Sequence, residues 1–297
     1  MNRRSFFRTG APILTAPLLL SRDAVQNPQA PSAPAADGWI PLFNGRNLDG
    51  WYTFLQTSGK DVAQTRGMVT VENGLLHIMG NEPTTQNAES GYIATTQDYE
   101  NCRIRVEYKW GVKRFPPRLE NKRDNGLLYY VTGPDRVWPT CLECQIQETD
   151  VGDYFLLGGT RAVQGNLPGN GGAGYVALIN AGINRPAAAD APPAAGGAPA
   201  GRGRGAASIE PSSSRKLKDG DFENRDDWNM VEVIAQGDRS THLVNGRIVN
   251  LVSRIQQPDG QNAGQFAPLT KGKIAIEIEY AEIYFRRIDI KPLATTA

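Results

Sequence analysis

The sequence predicts an all-β protein, a sandwich, jelly roll or barrel of antiparallel strands. Three observations predict it. From Trp39 onward the chain is a succession of short segments rich in β-branched and aromatic residues. Two of the links between them, Glu72-Asn73-Gly74 and Asn245-Gly246, are hairpin turns. No stretch sustains the apolar period of an amphipathic helix. Many strands at this spacing, with no helices between them, point to a closed or double-sheet architecture.

The chain opens Met1-Asn2-Arg3-Arg4-Ser5-Phe6-Phe7-Arg8, and a mildly apolar run follows over residues 10–20. A twin arginine ahead of such a run has the layout of an export leader, so a periplasmic or extracellular location is expected. The run is shorter than the ~20 apolar residues that span a bilayer, and Pro12 and Pro17 interrupt it. The Ala/Pro-rich stretch 26–36 reads as a tether. Residues 1–36 are therefore leader and tether, and residues 37–297 form the one folded domain.

Within that domain, strands are expected at 68–71 and 75–79, then at 92–95, 102–110, 126–131 and 140–147. Five more follow at 228–235, 240–244, 247–251, 273–279 and 281–290. The segment 102–110 alternates cleanly. Arg103, Arg105, Glu107 and Lys109 face one way; Ile104, Val106, Tyr108 and Trp110 face the other. That is the pattern of an antiparallel strand with one buried face. Between residues 180 and 214 the composition turns to Ala, Pro, Gly and Arg. Such a stretch buries too little apolar surface to offset its ordering entropy, so it is expected to be a disordered insertion in a surface loop. The glycine-rich patch at 169–174 carries no Walker lysine and is not read as a phosphate loop.

The charges argue against several partners. The chain has 32 basic and 31 acidic residues. Removing residues 1–30 takes away four arginines and one aspartate, leaving 28 against 30. A net charge of −2 gives no general attraction to nucleic acid or anionic lipid. Cys141 and Cys144 lie three apart in a strand and so point to opposite faces. They are expected, with Cys102, to be buried free thiols. The oligomeric state is left open.

Chemistry concentrates in the segment Glu143-Cys144-Gln145-Ile146-Gln147-Glu148-Thr149-Asp150-Val151-Gly152-Asp153-Tyr154. On a strand, Glu143, Gln145 and Gln147 share a face opposite Leu142, Cys144 and Ile146. Glu143, Glu148, Asp150 and Asp153 crowd together with no cation between them. Repelling carboxylates are costly unless they hold a metal, share a proton or bind polar ligands. Glu143 and Glu148 are the candidate catalytic pair, and Asp150 and Asp153 the candidate metal ligands. Oxygen donors of this kind suit a divalent cation such as Ca, Mg or Mn.

Trp138 and Tyr154 flank this segment and are candidates for stacking on sugar rings, whereas Trp51 and Trp228 read as core. Asn229, opposite Trp228 by alternation, is expected to reach the cleft. His77 alternates with Leu76 and Ile78 as an ordinary strand residue, while His242 is a candidate base or ligand. Two histidines so far apart make no zinc signature.

The spacing Glu143-x-Gln145-x-x-Glu148 resembles the Glu-x-Asp-x-x-Glu strand of laminarinase-type glucanases, which carry their nucleophile and acid/base on the two glutamates. Here Gln145 replaces the central aspartate and lacks its charge. A wider resemblance spans the domain. Leu42-Phe43-Asn44-Gly45-Arg46-Asn47-Leu48-Asp49-Gly50-Trp51 is similar to the opening motif of the 3-keto-disaccharide hydrolase domain family. Asp124-Asn125-Gly126-Leu127, Glu143-Cys144-Gln145-Ile146, Asp227-Trp228-Asn229, Val244-Asn245-Gly246 and Ile283-Tyr284-Phe285-Arg286-Arg287-Ile288 resemble its later motifs, in order. Departures at Asp124-Asn125, for Asn-Ser, and at Ile276-Glu277, for Leu-Gln, add acidity near the binding face.

This resemblance implies a concanavalin-like jelly-roll β-sandwich of two antiparallel sheets acting on oxidised glycosides. A ketone at C3 acidifies the C2–H, so a base can remove that proton and expel the C1 substituent; hydration completes net hydrolysis. The site then needs a base, an enolate stabiliser and a proton donor. Glu143 or Glu148 is expected as the base, with Arg286, Tyr129 or a divalent metal stabilising the enolate. Gln145, Asn125, Trp138, Tyr154, Asn229, His242 and Glu277 complete the expected substrate contacts. A non-catalytic, lectin-like carbohydrate-binding module on the same face is the alternative reading.

Overall fold

A computed structural model describes residues 37–83, 88–165 and 215–294. The leader and the 180–214 insertion lie outside the described residues. Numbered in chain order, the strands form two antiparallel sheets. The back sheet runs β12 (Arg161–Gln164), β16 (Arg247–Pro258), β15 (Arg239–Val244), β14 (Asn229–Gln236), β8 (Cys102–Arg114), β19 (Ala281–Pro292), β5 (Leu75–Ile78), β4 (Val69–Glu72). To it β1 (Ile40–Pro41) adds beside β19, and β17 (Phe266–Pro268) beside β16. The front sheet runs β13 (Arg215–Lys216), β11 (Tyr154–Leu157), β10 (Thr140–Gln145), β9 (Gly126–Thr132), β18 (Lys271–Ile278), β6 (Gly91–Thr95), β2 (Trp51–Leu55), β3 (Gly59–Lys60). On its flank β7 (Tyr99–Glu100) pairs with β18, and the one described helix is the single turn α1 (Val62–Thr65). The architecture is the expected jelly-roll sandwich.

Local chemistry explains the elements. In β8 the residues from Cys102 to Trp110 alternate buried and half-buried, as the sequence pattern requires. The hairpins turn where Asn73 and Gly74 have φ of 53° and 81°, and where Asn245 and Gly246 have 47° and 78°. Two successive positive φ values make the type I′ turn whose twist matches the strands.

Between the sheets, Leu127, Leu142, Cys144 and Ile146 from the front meet Ile104, Val106, Tyr108 and Phe285 from the back. Truncating a buried aromatic such as Phe285 to alanine costs ~3–5 kcal/mol in such a core. Cys102, Cys141 and Cys144 are buried and free, Cys144 on the core side of β10 and Cys141 on its outer side.

Two irregularities in the front sheet position the site. Tyr130 has φ of 54°, and the pairing of β9 with both neighbours shifts there. Through this bulge Tyr129 and Tyr130 both enter the core, and Val131 turns outward. At the other end β10 stops at Gln145, two residues short of the sequence expectation, because the chain turns back. Gly152 N–H donates to Gln145 O at 2.9 Å, and Gln145 Oε1 accepts from Ile146 N–H at 2.9 Å. Gly152, with φ of 99°, sits where an added Cβ would lie 2.4 Å from Val249 Cγ2.

Candidate functional site

Strands β10, β9 and β18 are neighbours, and their outer faces carry Glu143, Gly126 and Glu277. The register sets Gly126 opposite Gln145 and Leu128 opposite both Glu143 and Ala275, which brings Glu277 beside Gly126. A Cβ on Gly126 would lie 2.6 Å from Glu143 Oε1 and 2.6 Å from Glu277 Oε2. Only glycine leaves room for both carboxyl groups over this strand.

Two residues before Gly126, on the same face, comes Asp124; two residues after Glu277 comes Glu279. Glu143, Glu277, Glu279 and Asp124 are only 3, 2, 4 and 6% exposed. Arg118 Nη1 bridges Asp124 and Glu279, 2.8 Å from an oxygen of each. One guanidinium cannot neutralise four buried carboxylates, so the cluster holds protons. Burial pushes the Glu279 carboxyl up to about 7, with the Asp124 charge adding to it and Arg118 opposing it. Burial likewise raises Asp124 to about 6 against the pull of Arg118. Glu143 and Glu277 are driven well above the usual carboxylate range, first by burial and then by the charges around them. No protein donor reaches either oxygen of Glu277. Its own proton, shared with Glu279, is the hydrogen bond open to it.

The other expected residues lie elsewhere. Glu148 falls beyond the end of β10 and is held by Arg123, whose backbone N–H, Nε and Nη2 donate at 2.7, 3.0 and 2.6 Å. Arg114 adds a contact at 3.3 Å, and these partners hold the Glu148 carboxyl below its ordinary range against the opposing effect of burial. Glu143 and Glu148 thus do not form a facing pair. Asp150 is bound by Lys122 and Arg215 at 2.9 and 3.2 Å; Asp153 by Arg215 at 2.6 Å and the Lys218 N–H at 2.7 Å. The cations absent from the local sequence come from distant segments, so these aspartates serve as ion-pair partners. Among the described residues, no group of three or more His, Cys, Asp or Glu is gathered closely enough to hold a metal ion.

Tyr129, Tyr154 and His242 meet in the interior. Tyr129 Oη contacts Ser240 Oγ at 2.7 Å and His242 Nε2 at 3.1 Å, while Tyr154 stacks on His242 at 3.5 Å. Burial lowers His242 to about 3, so the ring stays neutral. These three residues pack the two sheets together and do not reach the outer face.

Asn125 also points inward and clamps β9 to β18, its Nδ2 donating to Glu277 O at 2.6 Å. Asn229 lies on the back sheet and pins a turn, bonding Asn224 and Asp227 and accepting from Asn245 Nδ2 at 3.0 Å. Arg286 is on the outside of the back sheet, bound to Glu107 and 4.3 Å over the Trp228 ring. Trp228 is therefore half-buried beneath Arg286, whereas Trp51 is buried in the core as expected. Trp138 is 41% exposed in the β9–β10 loop. His77 is a structural residue, bonded to Glu282 at 2.9 Å and stacked on Tyr284.

Of the expected contacts, the structure gathers Glu143, Gln145 and Glu277 on one face. Sequence reasoning missed Glu279, Gly126 and Arg118. Glu279 carried a signal, since Glu277-Ile278-Glu279 alternates on a strand and so shares a face. Arg118 carried none, because it reaches the cluster from an irregular segment.

Among solved structures, the fold is similar to a Parabacteroides distasonis protein put forward as a glycosyl hydrolase, at 18% identity and TM-score 0.48, over 87% of this chain and 95% of that one. It is also similar to a galectin-like Bacillus subtilis protein of unknown function, at 10% identity and TM-score 0.43, over 87% and 96%. A third likeness is to the exoplasmic/lumenal domain of VIP36 in its Ca2+/Man3GlcNAc-bound form, at 10% identity and TM-score 0.42, over 90% and 92%. Such distant likenesses do not bear on function. No curated protein matches the chain. No described helix is long and apolar enough to cross a membrane. The domain described as 3-keto-alpha-glucoside-1,2-lyase-like matches residues 38–291, so the chain belongs to that family and, with it, to carbohydrate chemistry.

Proposed function

We propose that the protein cleaves 3-keto-glycosides at the carboxyl cluster around Gly126, by base-assisted elimination and, once water adds back, net hydrolysis. The observation that carries this reading is a buried set of four carboxyl groups, two of them at about 6 and 7. A base poised near the working pH balances the fraction ionised against its proton affinity. Asp124 and Glu279, steadied by Arg118, are the ionising share and take the C2 proton. Glu143 and Glu277, kept protonated by burial, donate: one hydrogen-bonds the developing enolate oxygen, and the other passes its proton to the departing C1 oxygen. Glu143 is thereby an acid in the resting site, where the sequence suggested a base.

Turnover of a 3-keto-disaccharide and its unoxidised parent by wild type and Glu143→Gln tests the proposal. Selective cleavage of the keto sugar, lost in the variant while binding persists, supports it. Binding of both sugars without cleavage of either returns the lectin-like reading, which the exposed Trp138 favours.

The same orphaned oxygens of Glu277 and Asp124 match, in donor type, a calcium, magnesium or manganese ion. The side chains are not close enough together to hold one as they stand. Loss of turnover in chelator, restored by one of these ions, would place a cation there. Export through the twin-arginine leader belongs to the same proposal. It predicts that an Arg3→Lys, Arg4→Lys double variant accumulates in the cytoplasm.

A further inference from the structure

Beside the carboxyl cluster, the outer face of the front sheet holds a cleft of about 320 Å³. It is lined by Tyr52, Lys60, Tyr92, Thr96, Asp135 and Lys273 with the backbone of the β9–β10 loop. Tyr92 lies directly opposite Glu277 across β6 and β18. Tyr52 lies opposite Ala94, one same-face step further along. Cleft and cluster therefore lie side by side on the same face of the sheet.

Both tyrosine hydroxyls donate to one oxygen of Asp135, at 2.6 Å from Tyr52 and 2.7 Å from Tyr92. Burial and this carboxylate raise both phenols, so they stay protonated. Asp135 is an exposed residue, so its second oxygen remains open to solvent as an acceptor. Lys60 Nζ lies 4.3 Å over the Tyr52 ring, and Lys273 Nζ lies 3.3 Å from Asp98.

The cleft thus presents carboxylate and phenol acceptors next to ammonium donors. In the lining Asp135 offsets Lys60, and Lys273 is already paired with Asp98 outside it, which disfavours a charged ligand. The polar lining disfavours an apolar one. A neutral polyol, whose adjacent hydroxyls both donate and accept, matches it. The volume is at the small end of ligand clefts, which run ~300–1,000 Å³, so it takes one ring.

We propose that this cleft is a second pyranose subsite, holding the sugar that departs when the keto ring is cleaved. The proposal rests on the keto ring occupying the carboxyl cluster. The test compares kcat/KM for 3-keto-trehalose, whose leaving group is a sugar, with that for methyl 3-keto-α-D-glucoside, whose leaving group is not. In Asp135→Asn, and separately in Lys60→Met, the ratio of the two is expected to fall by about tenfold or more, through KM, as for loss of a charged hydrogen bond. A ratio unchanged in both variants, or an equal fall on both substrates, overturns the subsite. If wild type cleaves neither compound, the catalytic reading fails and the subsite is tested by saturation-transfer NMR with unoxidised trehalose. Magnetisation transfer to the sugar ring that vanishes in Asp135→Asn then sustains it, and transfer that persists overturns it.

Discussion

Glu279→Gln isolates the electrostatic cost stored in the cluster. Glu279 sits at about 7 against an ordinary 4.5. A carboxyl raised on folding adds stability that is fully present below its unfolded value and lost as pH rises through its folded value. At ~1.36 kcal/mol per pH unit, this group alone removes about 3 kcal/mol of stability between pH 4.5 and pH 8. Glutamine is nearly isosteric and cannot ionise, so that loss disappears. Asp124, whose position near 6 owes most to burial, remains.

His242 works in the opposite sense. Held neutral to about 3, it costs stability as pH falls below 6.5. The readout is therefore the difference between variant and wild type, in which His242 cancels. Urea unfolding at pH 5 and pH 8 measures it. Relative to wild type, the variant should gain about 2–3 kcal/mol on going from pH 5 to pH 8, and lose turnover. Equal pH dependence in the two proteins refutes the claim that Glu279 is forced to ionise against its surroundings.

Other substitutions separate the site from its scaffold. Gly126→Ala pushes a methyl into two carboxyl oxygens at 2.6 Å; kcat should fall ~100-fold, the scale set by an ångström of misplacement, and full activity by the kinetic assay contradicts the geometry. Glu148→Gln weakens the clamp on Arg123 and should cost ~1–2 kcal/mol in urea unfolding, with kcat within about twofold of wild type. Tyr129→Phe removes the hydroxyl bonded to Ser240 and His242; it should cost ~1–3 kcal/mol, and a raised KM would show that the residue reaches the substrate after all. The pH profile of kcat/KM should rise through an ascending limb between pH 6 and 7, following Asp124 and Glu279. A flat profile across that range removes them as the base.

The strands that alternate or end in hairpins were legible in the sequence, because a half-buried antiparallel strand writes its two faces into adjacent residues. All eleven expected segments correspond to strands, and β8 keeps its predicted faces throughout. The short edge strands β3, β7 and β13 were not legible, since two residues carry no period. Nor was β11, hidden behind the acidic turn.

At the site, Glu143 and Glu277 were legible from alternation and from departures within motifs. Glu148, Asp150 and Asp153 were misread because their cations, Arg123, Lys122, Arg215 and Lys218, arrive through folding from segments that local sequence does not connect to them. Tyr129, Tyr154 and His242 were misread because polar tips suggest a ligand, whereas here Tyr129 bonds His242 and the Tyr154 ring stacks on it between the sheets.

The central claim is that this cluster removes the C2 proton of a 3-keto-glycoside. Its most direct test is the rate of leaving-group release from 3-keto-trehalose carrying deuterium at C2, set against the protiated compound. Slower release from the deuterated sugar by wild type, with both reactions lost in Glu279→Gln, is the predicted result. Equal rates for the two isotopologues, together with undiminished release by Glu279→Gln, would contradict it.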